Sequence, residues 1–81
     1  MKAGQREYFE LWVIYERPSD YPQGFVVRRQ RTLGRYADRI WIDPIAYAFD
    51  TLDAAREAVP YGMTNIGRTD GDPVSIKEVW I

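Results

Sequence analysis

The clearest pattern in the chain is an alternation of side chains in residues 8–15, which predicts a β-strand. Because successive side chains of a strand point to opposite faces, one face carries four apolar residues, Phe9, Leu11, Val13 and Tyr15. The other face carries Trp12 and Ile14 beside Tyr8 and Glu10. Large apolar residues on both faces predict a strand at the centre of a sheet, with its second face also partly covered.

Further strands are predicted along the chain, separated by segments rich in proline, glycine and aspartate. They occupy residues 25–33, part of 36–49, residues 64–68 and residues 74–81. A loop at 16–24, a turn or bulge at Gly34 and a turn at Asp70-Gly71-Asp72-Pro73 connect them. In the last strand we expect Val74, Ile76 and Trp80 to share one face.

The stretch 36–49 contains two short patterns rather than one. Arg39-Ile40-Trp41-Ile42 is typical of a short strand, but Pro44 cannot donate a hydrogen bond to a sheet and interrupts it. After Pro44, Ile45, Tyr47 and Phe49 share one face and alternate with Ala46 and Ala48. Small alanines predict that a helix packs closely against this segment.

One segment, Asp50 to Pro60, has the periodicity of a helix. Its apolar residues lie within about 160° of the helical wheel and face away from Asp53, Arg56 and Glu57; they are Leu52, Ala54, Ala55, Ala58 and Val59. Thr51 or Asp50 can cap the helix, and Pro60 ends it. The element order β-β-β-α-β-β predicts an α+β fold: an antiparallel sheet of about five strands with one helix packed on one face.

Composition narrows the class of protein. The chain has 81 residues, which suits one small domain, and residues 1–6 are polar and expected to fray. It contains no cysteine and no histidine, the usual ligands of zinc and haem and the usual partners in nucleophilic catalysis. No phosphate-binding loop is present, and Asp70-Gly71-Asp72 lacks most of a calcium loop. We therefore expect no enzyme, no metal, no cofactor and a cytoplasmic location.

Three segments carry a resemblance to a known group of proteins: Trp12-Val13-Ile14-Tyr15, Asp20-Tyr21-Pro22 with Phe25-Val26-Val27-Arg28, and Glu78-Val79-Trp80-Ile81. With these segments the chain resembles a family of short, uncharacterised proteins of proteobacteria and their phages. The resemblance spans nearly the whole chain and brings no activity with it. It implies a phage or mobile-element setting, in which small proteins such as the anti-CRISPR proteins bind a host complex.

Arginines are concentrated in one stretch: Arg28, Arg29, Arg31, Arg35 and Arg39. Arg29 and Arg31 are expected on one face of their strand and Arg28 on the other, with Tyr36 and Trp41 near enough to stack on bases. This pattern fits a site for nucleic acid or for an acidic partner. It also fits a solvated strand whose arginines pair with Glu10 and Glu16, and the formal net charge of −1 is not that of a typical nucleic-acid binder.

Two further segments are candidates for partner binding. Asp50, Asp53 and Glu57 form an acidic flank on the helix, which either steers a charged partner or only caps the helix. Tyr21, beside Pro22 in the long loop, is either displayed to a partner or folded back onto the edge of the sheet.

These observations favour a non-catalytic binding protein, such as a phage-type inhibitor of a host nucleic-acid-targeting complex. The alternatives are a nucleic-acid-binding module that uses the arginine strand, and a small phage structural or assembly protein. One short helix cannot cover a five-stranded sheet, so exposed rings are expected among Trp12, Tyr15, Tyr21, Trp41 and Trp80. Such rings predict a protein partner or a homodimer, with Tyr21 and Trp41 as contacts.

Overall fold

The computed structural model describes residues 8–33, 39–68, 71 and 73–81. Within them the chain forms six strands and one helix: β1 Tyr8–Glu16, β2 Phe25–Leu33, β3 Arg39–Ile42, β4 Tyr47–Phe49, α1 Leu52–Glu57, β5 Asn65–Gly67 and β6 Ile76–Trp80. Several predictions fall outside the described residues: the fraying of residues 1–6, the turn or bulge at Gly34, the position of Tyr36, and two residues of the turn at 70–73.

The strands form one antiparallel sheet in the order β3-β2-β1-β6-β5. β1 is central, as its two apolar faces predicted, and it pairs with β2 over nine residues from Tyr8↔Leu33 to Glu16↔Phe25. Its other neighbour is β6, where Trp12 lies opposite Trp80. Together with α1 this sheet confirms the predicted α+β fold.

Two strands, rather than one, occupy the outer side of β2. β3 pairs with residues 30–33 of β2, and β4 pairs with residues 25–27. The chain leaves the sheet between them at Pro44, although the Asp43 N–H still donates to the Arg29 carbonyl at 2.9 Å. The prediction that Pro44 interrupts the strand is consistent with this break.

The helix α1 begins at a cap that the sequence predicted. The Thr51 hydroxyl accepts a hydrogen bond from the Ala54 N–H at 3.1 Å, and Asp53 lies in the first turn. Ala55 and Val59 are buried against Ile14 and Val27 of the sheet, and Leu52 and Ala58 pack beside them. The apolar stripe of the helix is therefore the seam of the core.

An ion pair between the exposed Arg56 and the buried Glu78 joins this helix to β6. Arg56 Nε donates to both carboxylate oxygens of Glu78 at 3.1 Å, and Arg56 Nη2 also bonds this carboxylate. The Trp80 indole N–H donates to Glu78 Oε1 at 3.1 Å. Glu78 is buried, so its charge is compensated where water does not reach it.

The helix packs against the segment of β4, as expected, but not through its alanines. Ala48 is exposed, and it is Phe49 that packs against the helix, because Phe49 pairs with Phe25 on the face that carries Ile14 and Val27. The expectation that Val74, Ile76 and Trp80 share a face is wrong. Val74 precedes the strand, and a register shift puts Ile76 opposite Tyr15 and Trp80 opposite Trp12, on opposite faces of β1.

Candidate protein-binding surfaces

Strand pairing divides the sheet into two unlike faces. The helix face contains Trp12 and Ile14 of β1 with their partners Arg29 and Val27 of β2. The helix, only six residues long, covers the end with Ile14 and Val27 and leaves the end with Arg29 uncovered. The other face, which we call the open face, contains the alternate residues of the same strands, and no helix of the described residues packs on it.

At the uncovered end of the helix face lies an arginine–tryptophan cluster formed by Arg29, Arg31 and Trp41. Arg31 is the strand partner of Trp41 and its guanidinium carbon lies 5.4 Å from the ring centroid. The guanidinium carbon of Arg29 lies 5.7 Å from the same centroid. Both distances are those of cation–π contacts. Trp41 is also exposed, whereas Trp12, Tyr15, Tyr21 and Trp80 are half-buried.

The arginines of β2 are neutralised within the chain. Arg29 Nη2 donates to Asp43 Oδ2 at 3.0 Å, and Arg31 Nε lies 3.9 Å from Glu10 Oε1. On the open face, Arg28 donates to the Asp43 carbonyl at 3.3 Å and lies 3.9 Å from an oxygen of Asp20. The expected pairing with Glu10 is present, whereas Glu16 lies 3.9 Å from Lys77 instead of an arginine. Arg35 lies outside the described residues.

The acidic flank of the helix is brought together only in part. Asp53 and Glu57 are exposed on the helix, and Asp53 Oδ1 lies 3.8 Å from Arg56 Nη1. Asp50 precedes the helix and accepts a long hydrogen bond from the Tyr21 hydroxyl, 3.3 Å. Its carboxylate is thus turned toward the loop at 16–24, so the three acids do not form one uniform patch.

Tyr21 folds back onto the protein. Its ring packs over Gly24, where an added Cβ atom would lie 2.7 Å from Tyr21 Cε2, and its hydroxyl reaches Asp50. Partial burial raises the pKa of this hydroxyl, and the Asp50 carboxylate raises it further. Tyr21 therefore holds the loop against the end of β4. Of its two predicted roles, display to a partner or folding back onto the edge of the sheet, this geometry corresponds to the second.

The open face carries an apolar patch that was absent from the predicted site residues. Its exposed members are Phe9 (75%), Ile40 (64%), Ile42 (50%) and Ile81 (51%), with Leu11 half-buried among them. Phe9 and Ile40 both pair with Thr32, so they lie in one row across the strands. The alternation of Phe9, Leu11, Val13 and Tyr15 was the signal for this surface, because one helix cannot cover two apolar faces.

Polar side chains on the open face are already hydrogen-bonded. Gln30 Nε2 donates to the Tyr15 hydroxyl at 2.9 Å, and the Phe9 N–H donates to Thr32 Oγ1 at 3.2 Å. Burial raises the pKa of the Tyr15 hydroxyl, while Arg28 and the bond from Gln30 oppose that rise. These two hydrogen bonds link polar groups of neighbouring strands on this face.

Two depressions open on this face. One, of about 610 Å³, lies among Phe9, Leu11, Thr32, Thr64 and Ile81. The other, of about 540 Å³, lies under the loop at 16–24 and is bordered by Tyr15, Val26, Arg28 and Ile42. The open face is thus an apolar surface with recesses at both ends, and side chains of a binding partner can insert there.

Comparisons with known proteins add no relative to this description. No protein-family model, no curated protein and no solved structure matches the chain. The resemblance to the short phage and proteobacterial proteins stays a prediction. Within the described residues, no helix is long and apolar enough to span a membrane, and no group of three or more acidic side chains is placed to hold a metal ion.

Proposed function

We propose that this chain is a non-catalytic binding protein that contacts another protein through its open face. The observation that carries this proposal is the apolar patch of Phe9, Ile40, Ile42 and Ile81, each at least half exposed. Large contiguous apolar patches are uncommon on monomers because exposing them to water is unfavourable, and they mark interaction sites. The hydrogen bond between Gln30 and Tyr15 beside the patch supports the same function, since this bond is retained when the face is buried.

A pair of matched substitutions tests this proposal. Ile42→Glu places a charge in the apolar patch, and Ile45→Glu places the same charge on an equally exposed isoleucine in the connection between β3 and β4. We expect the wild type and Ile45→Glu to retain a bound protein, either a second copy or another partner, that Ile42→Glu loses. Identical binding by all three chains, measured by quantitative affinity capture and light scattering, would refute a role for the open face.

Within this class, the target that the sequence resemblance suggests is a host nucleic-acid-targeting complex of the CRISPR type in the cytoplasm. The helix face supports such a contact, because it presents Trp41 with Arg29 and Arg31 on one side and the acidic residues Asp53 and Glu57 on the other. Trp and Arg are the residues most often found at the centre of interface hot spots.

An interference assay tests this narrower proposal. A host with an active CRISPR system is transformed with a targeted plasmid, with and without expression of the chain. We expect the wild type to raise the recovery of transformants and Trp41→Ala to abolish the effect. Equal recovery with and without the wild-type chain, across the CRISPR types present in proteobacteria, would exclude this target while leaving protein binding by the open face untouched.

A second candidate function is the binding of single-stranded nucleic acid by the arginine–tryptophan cluster. The contact of two guanidinium groups with one exposed ring favours it, because bases stack on such rings. The pairing of Arg29 with Asp43 and of Arg31 with Glu10 reduces the positive charge available to phosphates. Fluorescence anisotropy with labelled oligonucleotides at low salt tests this function. Binding by the wild type that is weakened in the double variant Arg29→Ala, Arg31→Ala would support it. No binding by the wild type would exclude it.

A further inference from the structure

We infer that the open face packs against the open face of a second copy of this chain, so that two sheets form a two-fold symmetric sandwich. This inference rests on the proposed function and names its partner. In such a dimer the same patch serves both copies, which is the commonest symmetry of protein oligomers. Packed sheets lie about 10 Å apart and bury the inner side chains of both between them.

The electrostatics of the face suit a second copy. Among the paired residues of β1, β2 and β3 that share this face, Arg28 is the one charged side chain, and Asp20 and the Asp43 carbonyl already contact it. These three strands therefore offer little charge on this face that would select a partner of opposite sign. The formal net charge of the chain is −1, so repulsion between two copies is small.

The sheet can supply much of a stable interface. β1 and β2 have nine residues each, and the strands on either side of them have three to five. At about 3.3 Å per residue and about 4.8 Å between strands, the face has an area on the order of 500 Å². A typical stable interface buries about 800 Å² on each partner. The apolar patch can therefore form the centre of a dimer contact to which the loop at 16–24 and the end of β6 contribute the rim.

Shape gives the third argument. Phe9 and Ile40 are the most exposed members of the patch, and the two recesses lie at opposite ends of the same face. A two-fold axis that places one end of each face on the opposite end of the other brings Phe9 and Ile40 of each copy toward the recess under the loop at 16–24 of its partner. Sheet faces that interdigitate in this way reach the packing density of a protein core.

The mass of the protein as a function of concentration tests the inference. By analytical ultracentrifugation from nanomolar to submillimolar concentration, we expect the wild type and Ile45→Glu to form dimers. Because a two-fold contact contains each substitution twice, Ile42→Glu is expected to raise the dimer dissociation constant by at least about 100-fold. Ile81→Glu serves as a second patch variant, and circular dichroism checks that each variant is folded.

Cross-linking identifies the face that the dimer uses. The natural chain has no cysteine, so Ile40→Cys and Tyr61→Cys each introduce a single thiol, one in the patch and one in the turn after α1. A short bis-maleimide is expected to link Ile40→Cys chains covalently in pairs. Tyr61→Cys chains are expected to remain without a covalent link, because their thiols lie outside the dimer contact. Dimers that form equally in every variant, or that cross-link through Tyr61→Cys alone, would overturn the inference.

The outcomes separate the dimer from the broader proposal. A wild type that stays monomeric at all concentrations overturns the dimer. If that monomer still binds another protein that Ile42→Glu fails to bind, the open face remains a protein-binding surface. If it binds nothing that Ile42→Glu changes, both the dimer and the proposed function fail.

Discussion

The carboxylate of Glu78 illustrates how one residue links the helix to the sheet. It is buried, receives hydrogen bonds from Arg56 and Trp80, and lies opposite Ile14 at the centre of the helix face. The bonds from Arg56 are the largest cause that lowers the pKa of Glu78, and burial opposes them. The pair therefore stabilises the fold only while Glu78 is ionised.

Acid should weaken this link in a predictable pH range. A carboxyl group whose pKa is lower in the folded state stabilises the protein above its unfolded value, about 4.5, and that contribution is lost as the pH falls through the folded value. We expect Glu78→Gln to be less stable than the wild type near neutral pH and the difference in free energy of unfolding to shrink below about pH 4.5. Urea unfolding of both chains at several pH values measures this difference.

The matched control is Glu57→Gln, which removes a carboxylate from an exposed position of the same helix. Its free energy of unfolding should stay close to that of the wild type over the same range, because exposed charges contribute little. A gap between wild type and Glu78→Gln that stays constant with pH would contradict the role given to the ion pair.

Gly24 is a second residue whose identity the packing requires. A Cβ atom there would lie 2.7 Å from Tyr21 Cε2 and closer still to the carbonyl oxygen of Phe49, which is backbone in β4. We expect Gly24→Ala to destabilise the protein by about 1–3 kcal/mol, because the loop or β4 must shift. Gly71→Ala is the control, since no atom of the described residues lies within 4 Å of a Cβ atom at that position. Equal melting temperatures for the two variants would disprove the close approach.

At the scale of elements, α1 is a short helix held by its packing. Leu52 contacts the core but is only half-buried, so Leu52→Ala is expected to cost about 2 kcal/mol, at the low end for such substitutions. Glu57→Ala on the exposed side should be nearly neutral, because alanine is a good helix former. Thermal unfolding followed by circular dichroism compares the melting temperatures of the two variants. An unchanged melting temperature in Leu52→Ala would show that this side chain does not contribute to the packing of the helix on the sheet.

Most elements could be predicted from the sequence because their signals are local. The alternation in β1, the Thr51 cap and the break at Pro44 each depend on a few neighbouring residues. The register shift between β1 and β6 could not be predicted, since it depends on which residues of two distant strands meet. That shift placed Ile76 and Trp80 on opposite faces, so the simple alternation expected in the last strand was wrong.

The candidate site shows the same limit. Arg29 and Arg31 were correctly assigned to one face, because strand geometry alone determines it. Their neutralisation depends partly on Asp43, which the chain brings beside β2 just before Pro44. An uncovered sheet face was expected, but Phe9, Ile40, Ile42 and Ile81 were not identified as its exposed residues, because choosing between the two apolar faces of β1 requires knowing which one the helix covers.

For the molecule as a whole, we expect binding through the two faces of the sheet to respond differently to salt. Association through the apolar patch should persist or strengthen in sodium sulfate, because excluded salts favour the burial of apolar surface. Binding through the arginine–tryptophan cluster to phosphates would weaken steeply as salt rises. Dimer mass and oligonucleotide affinity, each measured across a salt series, report on the two faces separately. A dimer that dissociates in high salt would show that charged groups hold it together.

The interrupted outer strand has a consequence for aggregation. A sheet that ends in a long, regular strand offers a row of free backbone groups, on which strands of other molecules can add and polymerise. Here β3 and β4 are separated at Pro44, which has no N–H, and β5 on the opposite side spans three residues and ends at Gly67, whose φ is 71°. Neither border is a long, regular row of free backbone groups, so we expect the sheet to resist fibril growth by the addition of strands.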